Sequence, residues 1–527
     1  MKDHGTLLRS ASLVALLTFV SRIFGYFRDQ RIAFLLGASM QADAYTIAYR
    51  IPNLLRRLVG EGAVSAAFIP IFSEYLTRKD RDEAWRFANS ILTLLTLGMT
   101  VVTVLGILFA PVVVRLLALG AADIPGKLEL ATVLTRIMVP YIFLVSLAAL
   151  AMGILNSFHK FAVSASAPVF LNLGIIAFSF LTGFFPSPEI ALAVGVVVGG
   201  VGQVAIQVPQ VMRTGFRFRP RIDLSHPGVR RTGRLMAPLV ASVGVVQINV
   251  VVDQLFASYM GDGPMFALYT SDRVMELVLG GYAIAISTVI LPMLSRNAAA
   301  GALDEMRSTL NFASRIILLV TVPASVGLIV LRVPIIQVLF EHGEFDAADT
   351  ALTAFPLMFF GVGLSAFSMM KVIIPAFYAL QDIRTPVKIA FLAMVLNVAL
   401  NFAFFGPLQV GGPALATSLA GFFSAVALVV LFMRRQGSIG IGSILVSLLR
   451  FLAGSALLAV VAAYLINLPG FYYDQSLFQR IFALAATIGA AAGVYFVAAW
   501  ILRCPELGEV WAVFGKRRGA GRDGGIR

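Results

Sequence analysis

The chain has 527 residues, of which 59% are hydrophobic and only 13% charged, and its mean hydropathy is +0.89. Soluble domains carry about a quarter charged residues, so a soluble globular class is excluded. The apolar runs are long and continuous, which also excludes a β-barrel, whose strands alternate over about ten residues. The fold class that remains is an all-α polytopic membrane protein. The single cysteine, Cys504, excludes an internal disulfide. The first apolar segment keeps its arginines and precedes no small-residue cleavage site, so it reads as a retained helix.

Windows of about 20 apolar residues predict fourteen transmembrane helices in chain order. They fall at 8–36, 42–73, 87–117, 129–155, 164–183, 189–212, 235–260, 265–294, 309–331, 350–379, 387–405, 412–433, 445–466 and 478–502. Turn-rich stretches such as FFPSPE, GDGP, FFGPLQVGGP and NLPGFYYDQ separate them. One alternate set of connections, together with both termini, holds 26 lysines and arginines. The other set holds 3: Lys127, Arg332 and Arg480. Positive residues mark the cytoplasmic side, so both termini are expected in the cytoplasm. The basic tail GKRRGAGRDGGIR is read as a topology signal and an anchor to anionic membrane lipids. Nucleic acid is not an expected partner.

The remaining 12 basic residues lie within spans, and six of them are in the first two. Span one, LTFVSRIFGYFRDQRIAFLLG, carries Arg22, Arg28, Asp29 and Arg31. Arg22 is placed near the midplane, Arg28 in the outer half, and Arg31 near the surface. An arginine at a helix centre costs about 2.5–3.5 kcal/mol on the insertion scale, so the central ones are expected to face a polar cavity. At about 100° per residue, Arg22 and Asp29 share a face and Arg28 points about 120° away. A bend at Gly25 is one way to bring both arginines to one cavity. Span two adds Asp43, Arg50, Arg56, Arg57 and Glu61, and span eight adds Asp272, Arg273 and Glu276. The excess of arginine suits an anionic substrate, since the planar guanidinium binds two phosphate oxygens and stays charged. Buried ion pairs that lock helices together are the competing reading.

A second constellation is neutral or acidic. Asn249 and Asp253 lie at i,i+4 in span seven, Asn397 and Asn401 at i,i+4 in span eleven, and Thr417 in span twelve. Asp253, Asn397, Asn401 and Thr417 fall at similar depth. One carboxylate with neutral oxygens suits a hard cation such as Na⁺, and interhelical hydrogen bonding is the alternative. Spans four and five also resemble spans ten and eleven. Aligning Leu155 with Leu380 aligns Asn172 with Asn397, both at a spacing of 225. Repeated halves around a central cavity are a transporter signature. The expected division is 1–220 (spans one to six), 221–440 (spans seven to twelve), 441–505 (two extra spans) and 506–527 (tail), with Arg213–Arg234 as the hinge.

The segments SRIFGYFRD, RIPNLLRRLVGEGAVSAAFIPIFSEY, DRVMEL with ILPMLS, and QDIRTPVKIA resemble the MurJ (MviN) lipid II flippases of the multidrug/oligosaccharidyl-lipid/polysaccharide exporter superfamily. The resemblance covers essentially the whole chain. It implies a substrate, lipid II, an undecaprenyl diphosphate carrying a disaccharide-pentapeptide. This would be moved from the cytoplasmic to the outer leaflet of the bacterial cytoplasmic membrane, driven by membrane potential or a cation gradient. By motif, Arg22, Arg28, Arg56 and Arg273 resemble the family's substrate-binding arginines, and Ser21, Asp43, Glu61 and Glu276 match further functional positions. Arg50 stands where relatives carry lysine. The family also implies Na⁺ at Asp253, Asn397, Asn401 and Thr417, with Asn401 here replacing an acid. Spans thirteen and fourteen resemble the pair that forms a groove for the lipid tail.

No enzyme activity and no cofactor other than Na⁺ are expected, and the chain is expected to act as a monomer. Three other activities compete. An exporter of another lipid-linked saccharide would share the arginines. A cation-coupled drug antiporter would need an apolar or acidic cavity. A polytopic glycosyltransferase would need a catalytic carboxylate or metal constellation in an outward loop, and EHGEFDAAD offers no supporting ligands.

Overall fold

A backbone in lipid must bond to itself, and continuous apolar runs do so as helices. The structure, a computed structural model, describes residues 2–56, 64–473 and 475–509. Among these residues there are eighteen α-helices and no β-strand. In chain order they are α1 (Lys2–Leu36), α2 (Met40–Leu55), α3 (Val64–Arg78), α4 (Arg81–Leu108), α5 (Ala110–Leu117) and α6 (Lys127–Met138). Next come α7 (Pro140–Ser157), α8 (Phe161–Ser179), α9 (Pro188–Met212), α10 (Pro227–Ala257), α11 (Pro264–Ala299) and α12 (Leu303–Val330). The last six are α13 (Arg332–Phe340), α14 (Ala347–Ala379), α15 (Arg384–Leu408), α16 (Gly411–Gln436), α17 (Ile441–Ile466) and α18 (Leu477–Ile501).

These helices make up fourteen spans. The second span is shared by α2 and α3, the third is divided between α4 and α5, the fourth between α6 and α7, and α13 continues the ninth. The breaks at Phe109, Val139 and Leu331 fall just before Pro111, Pro140 and Pro334. A proline ring lacks the N–H and clashes with the carbonyl four residues back. Among the described residues, ten stretches, with α6 and α7 taken together, are long and apolar enough to cross a membrane. The other four spans lie on α1, α2 with α3, α10 and α11, which hold the charged residues singled out above. Helices α4 and α12 begin about six residues before their apolar windows. Their first turns carry Asp82 and Glu83, and Asp304 and Glu305, which complement the helix dipole.

The chain forms two compact units. The first contains Met1–Phe266 and His342–Asp349, and the second contains Ala267–Glu341 and Thr350–Arg527. In the first unit, α8 and α9 touch backbone to backbone. A Cβ on Gly174 would lie 2.6 Å from the Gly199 Cα and 2.7 Å from the Gly195 carbonyl oxygen, so only small residues permit this approach. Phe68, Phe72 and Phe87 stack between α3 and α4. The connection 213–226 is strapped along α4. Asn89 donates to the Arg217 carbonyl (3.1 Å) and accepts from the Arg219 N–H (2.8 Å), Thr93 accepts from the Arg221 N–H, and Arg81 donates to the Thr214 carbonyl. Bending at this connection would break those bonds.

The segment His342–Asp349 seats on the α1–α2 turn of the same unit. The Glu344 N–H donates to the Phe34 carbonyl, and the Ala38 N–H donates to Asp349 Oδ2, each at 2.9 Å. Gly37 (φ +58°) and Gly343 (φ +66°) face this seam. A Cβ on Gly37 would come within 2.9 Å of the Asp349 carboxylate, so both conformation and space require glycine there.

In the second unit the last two spans share the main core. Phe451 of α17 and Tyr495 of α18 are buried together with Leu319 of α12. The Tyr495 hydroxyl donates to the Leu319 carbonyl (2.7 Å), and the Tyr472 hydroxyl donates to the Pro334 carbonyl (3.1 Å). Arg315 does not face a cavity. It pairs with Glu506 (2.8 Å) and Glu509 (3.0 Å), pinning the segment after α18 against α12.

Candidate substrate-binding site

Helix α1 is unbroken through Gly25. Ser21, Gly25 and Arg28 are spaced i, i+4, i+7 and form one face, and α8 packs against it. Asn172 of α8 grips that face at two points. Its Nδ2 donates to the Ser21 carbonyl (3.0 Å), and its Oδ1 accepts from Arg28 Nη1 (3.1 Å). A Cβ on Gly25 would lie 3.7 Å from Asn172 Nδ2, an ordinary contact, so the approach does not depend on glycine.

Arg28 is 7% exposed. Its guanidinium donates from Nε and Nη2 to Asp29 Oδ1 (2.9 and 2.6 Å) and from Nη1 to the Tyr49 hydroxyl (3.4 Å). Arg22 lies on the other face, half-buried, and makes no hydrogen bond or ion pair with a described residue. Arg31 donates to the hydroxyl and carbonyl of Ser179 at the end of α8 and lies over the rings of Phe34 and Phe180. A cation there complements the helix C-terminus.

On α2, Asp43 is fully buried and fully engaged. Its Oδ2 accepts from Lys127 Nζ (2.8 Å) and the Gly263 N–H (2.9 Å), and its Oδ1 accepts from the Phe266 N–H (2.8 Å). Gly263 and Phe266 flank the first turn of α11, so Asp43 caps that helix from another one. Lys127 Nζ uses its remaining donors on the Gly261 carbonyl (2.8 Å) and Asp262 Oδ1 (3.3 Å). Arg50 lines a small crevice with Ile47, Leu117, Val251, Gln254 and Met265. Arg56 closes α2, donating to Asn53 Oδ1 from Nε and Nη2. Arg57 and Glu61 lie outside the described residues.

In the second unit, Arg273 donates to Glu276 Oε2 (2.7 Å) and lies 5.0 Å from the Tyr269 ring centroid. Asn397 Nδ2 donates to Thr417 Oγ1 (2.9 Å), while Asn401 Nδ2 donates to Asn397 Oδ1 (3.1 Å). Asp253 is buried on α10 of the first unit. Two similar turns follow α7 and α14, at a spacing of 222 rather than the 225 of the sequence alignment, so Leu155 matches Phe377 and not Leu380. His159 and Gln381 both adopt left-handed backbone after α7 and α14 (φ 58° and 59°). The next N–H bonds six-to-one to Leu155 and Phe377, each at 2.9 Å.

Within the first unit, Arg22, Arg28 and Asp29 are thus sorted onto two faces of α1, and Asp43 serves the packing of α2, α6 and α11. Sequence reasoning missed Lys127, which it counted only as a loop charge. A buried acid such as Asp43 requires a counter-charge, and that requirement was the available signal. Asn172 was noticed only as half of a repeat.

The family model "Lipid II flippase MurJ" matches residues 32–484. The "Probable lipid II flippase MurJ" of Vibrio cholerae is 38% identical over 434 residues, covering 80% of this chain and 82% of the relative. The "Lipid II flippase MurJ" of Burkholderia cenocepacia is 33% identical over 506 residues, covering 94% and 97%. A solved structure, "Lipid II flippase MurJ, inward closed conformation", superposes with TM-score 0.78 at 28% identity, covering 93% of this chain and 98% of that one. An inward-facing multidrug resistance MATE family transporter of the MOP superfamily shares the fold, with TM-score 0.66 at 14% identity over 81% of this chain and 98% of that one. By the family model, the curated relatives and the shared architecture, the chain belongs to the MurJ lipid II flippase family.

Proposed function

We propose that this chain moves lipid II from the cytoplasmic to the outer leaflet of a bacterial cytoplasmic membrane by alternating access, with both termini in the cytoplasm. Arg22 carries the reading. A guanidinium within a span costs about 2.5–3.5 kcal/mol, and this one has no partner among the described residues. A diphosphate supplies the missing counter-charge and two acceptor oxygens. Arg28, Arg56 and Arg273 add positive charge for the same anion, with Ser21, Arg50, Glu61 and Glu276 around them. Asp43 supports the site by holding α2 and α11. Two six-span halves, 1–220 and 221–440, supply the rocking elements, and α17 and α18 offer a surface for the lipid tail. The donor set of Asp253, Asn397, Asn401 and Thr417 consists of oxygens, which fits Na⁺ as a coupling ion.

In cells depleted of the native protein, Arg22→Ala and Arg56→Ala are each expected to fail to restore lipid II to the outer leaflet at normal membrane abundance. Normal flipping by both variants would sink the cavity mechanism. Cleavage of surface-exposed lipid II by an externally added enzyme reads the outcome.

A further inference from the structure

We infer that Asn172 is a positioning residue of the substrate site. It sets the rotation of α1, so that Arg22 is presented to the anion while Arg28, bonded to Asn172, is fixed on the α8 side of the helix. Rotation is the relevant freedom because the helix bears arginines on two faces about 120° apart. Arg31 fixes the outer end of α1 on Ser179 of α8, and Asn172 fixes the stretch that carries Arg22 and Arg28. Asn172 does so with two hydrogen bonds of opposite polarity. It donates to the Ser21 carbonyl and accepts from Arg28. Only the face formed by Ser21, Gly25 and Arg28 offers an acceptor and a donor two turns apart around a glycine. The side chain is 6% exposed, so turning α1 would leave a carboxamide unpaired in a dry interface, which that interface tolerates poorly. Asn172 therefore acts through the arginines and touches no substrate itself.

This inference rests on Arg22 binding the diphosphate, and the test separates the two. Lipid II binding to the purified full-length protein in detergent is measured for wild type, Asn172→Leu, Arg22→Ala and the double variant, with thermal unfolding in parallel. The expected result is about tenfold weaker binding by Asn172→Leu, the equivalent of one charge-assisted hydrogen bond. The double variant should be no weaker than Arg22→Ala alone. Unchanged affinity in Asn172→Leu, or a loss that adds to that of Arg22→Ala, overturns the positioning role. Unchanged affinity in Arg22→Ala instead overturns the substrate reading. If Asn172→Leu does not fold, Asn172→Asp replaces it. That variant keeps the acceptor for Arg28 but sets a carboxylate against the Ser21 carbonyl, so weakened, non-additive binding is again expected. Full affinity in Asn172→Asp overturns the inference.

Discussion

Lys127 and Asp43 are both fully buried, and their side chains meet at 2.8 Å. An ammonium in such a place needs three acceptors, and Lys127 has them in Asp43, Gly261 and Asp262. The pair joins α2, the start of α6 and the turn before α11. Removing one partner of a buried pair strands the other, at a cost of about 3–5 kcal/mol. Lys127→Met is therefore expected to lower thermal stability sharply in detergent. Asp43→Asn combined with Lys127→Met should recover much of that loss, because no charge is then left alone. Additive losses in the cycle would refute the pairing. The sequence marked Asp43 as important but not why, since its partner is 84 residues away and no spacing rule reaches that far. Arg22 is the reverse case. Its place on a different face from Arg28 was legible at about 100° per residue.

Helix positions were legible because lipid forces them, and the splits near Pro111, Pro140 and Pro334 follow from proline chemistry. Which helix abuts which was not legible, since an apolar face does not name its partner. The QDIRTPVKIA segment shows this limit. It carries family resemblance, yet its local work is to fix a turn. Asp382 accepts from the Thr385 hydroxyl (2.6 Å) and N–H (3.0 Å) at the start of α15, and it pairs with Arg435 at the end of α16 (2.6 Å). The Thr385 hydroxyl holds the Asp382 carboxyl below its usual value, against the raising effect of burial, with the Thr385 N–H and Arg435 adding to it. A depressed folded value stabilises above the unfolded pKa of about 3.9 and is lost as pH falls through the folded value. Asp382→Ala should cost about 0.5–2 kcal/mol near neutral pH, as lost helix caps do. The gap to wild type should close below about pH 4. Thermal unfolding between pH 7 and pH 3 checks this, and a constant gap would contradict it.

At the scale of the whole molecule, the count of basic residues in alternate connections predicts topology. Cation coupling is a property tested on the whole protein. If these oxygens bind Na⁺, NaCl should raise the unfolding temperature relative to KCl at equal ionic strength, since a ligand of the native state stabilises it. Asn401→Asp, which restores an acid, should enlarge the difference. No difference in either protein would remove Na⁺ from the mechanism. The spans were readable from the apolar windows along the chain. The unit boundary between Phe266 and Ala267, inside α11, was not.

The seam between the α1–α2 turn and His342–Asp349 has a consequence for biogenesis. The Phe34 carbonyl and the Ala38 N–H find their partners in residues made some 300 positions later. Chains emerge from the ribosome N-terminal part first, so the first unit waits for Asp349 before its opening corner is complete. A chain stopped at Phe266 is expected to insert its helices and yet remain protease-sensitive at residues 34–39. Adding a separate fragment from Ala267 to the C-terminus should restore protection there, whereas one beginning at Thr350 should not.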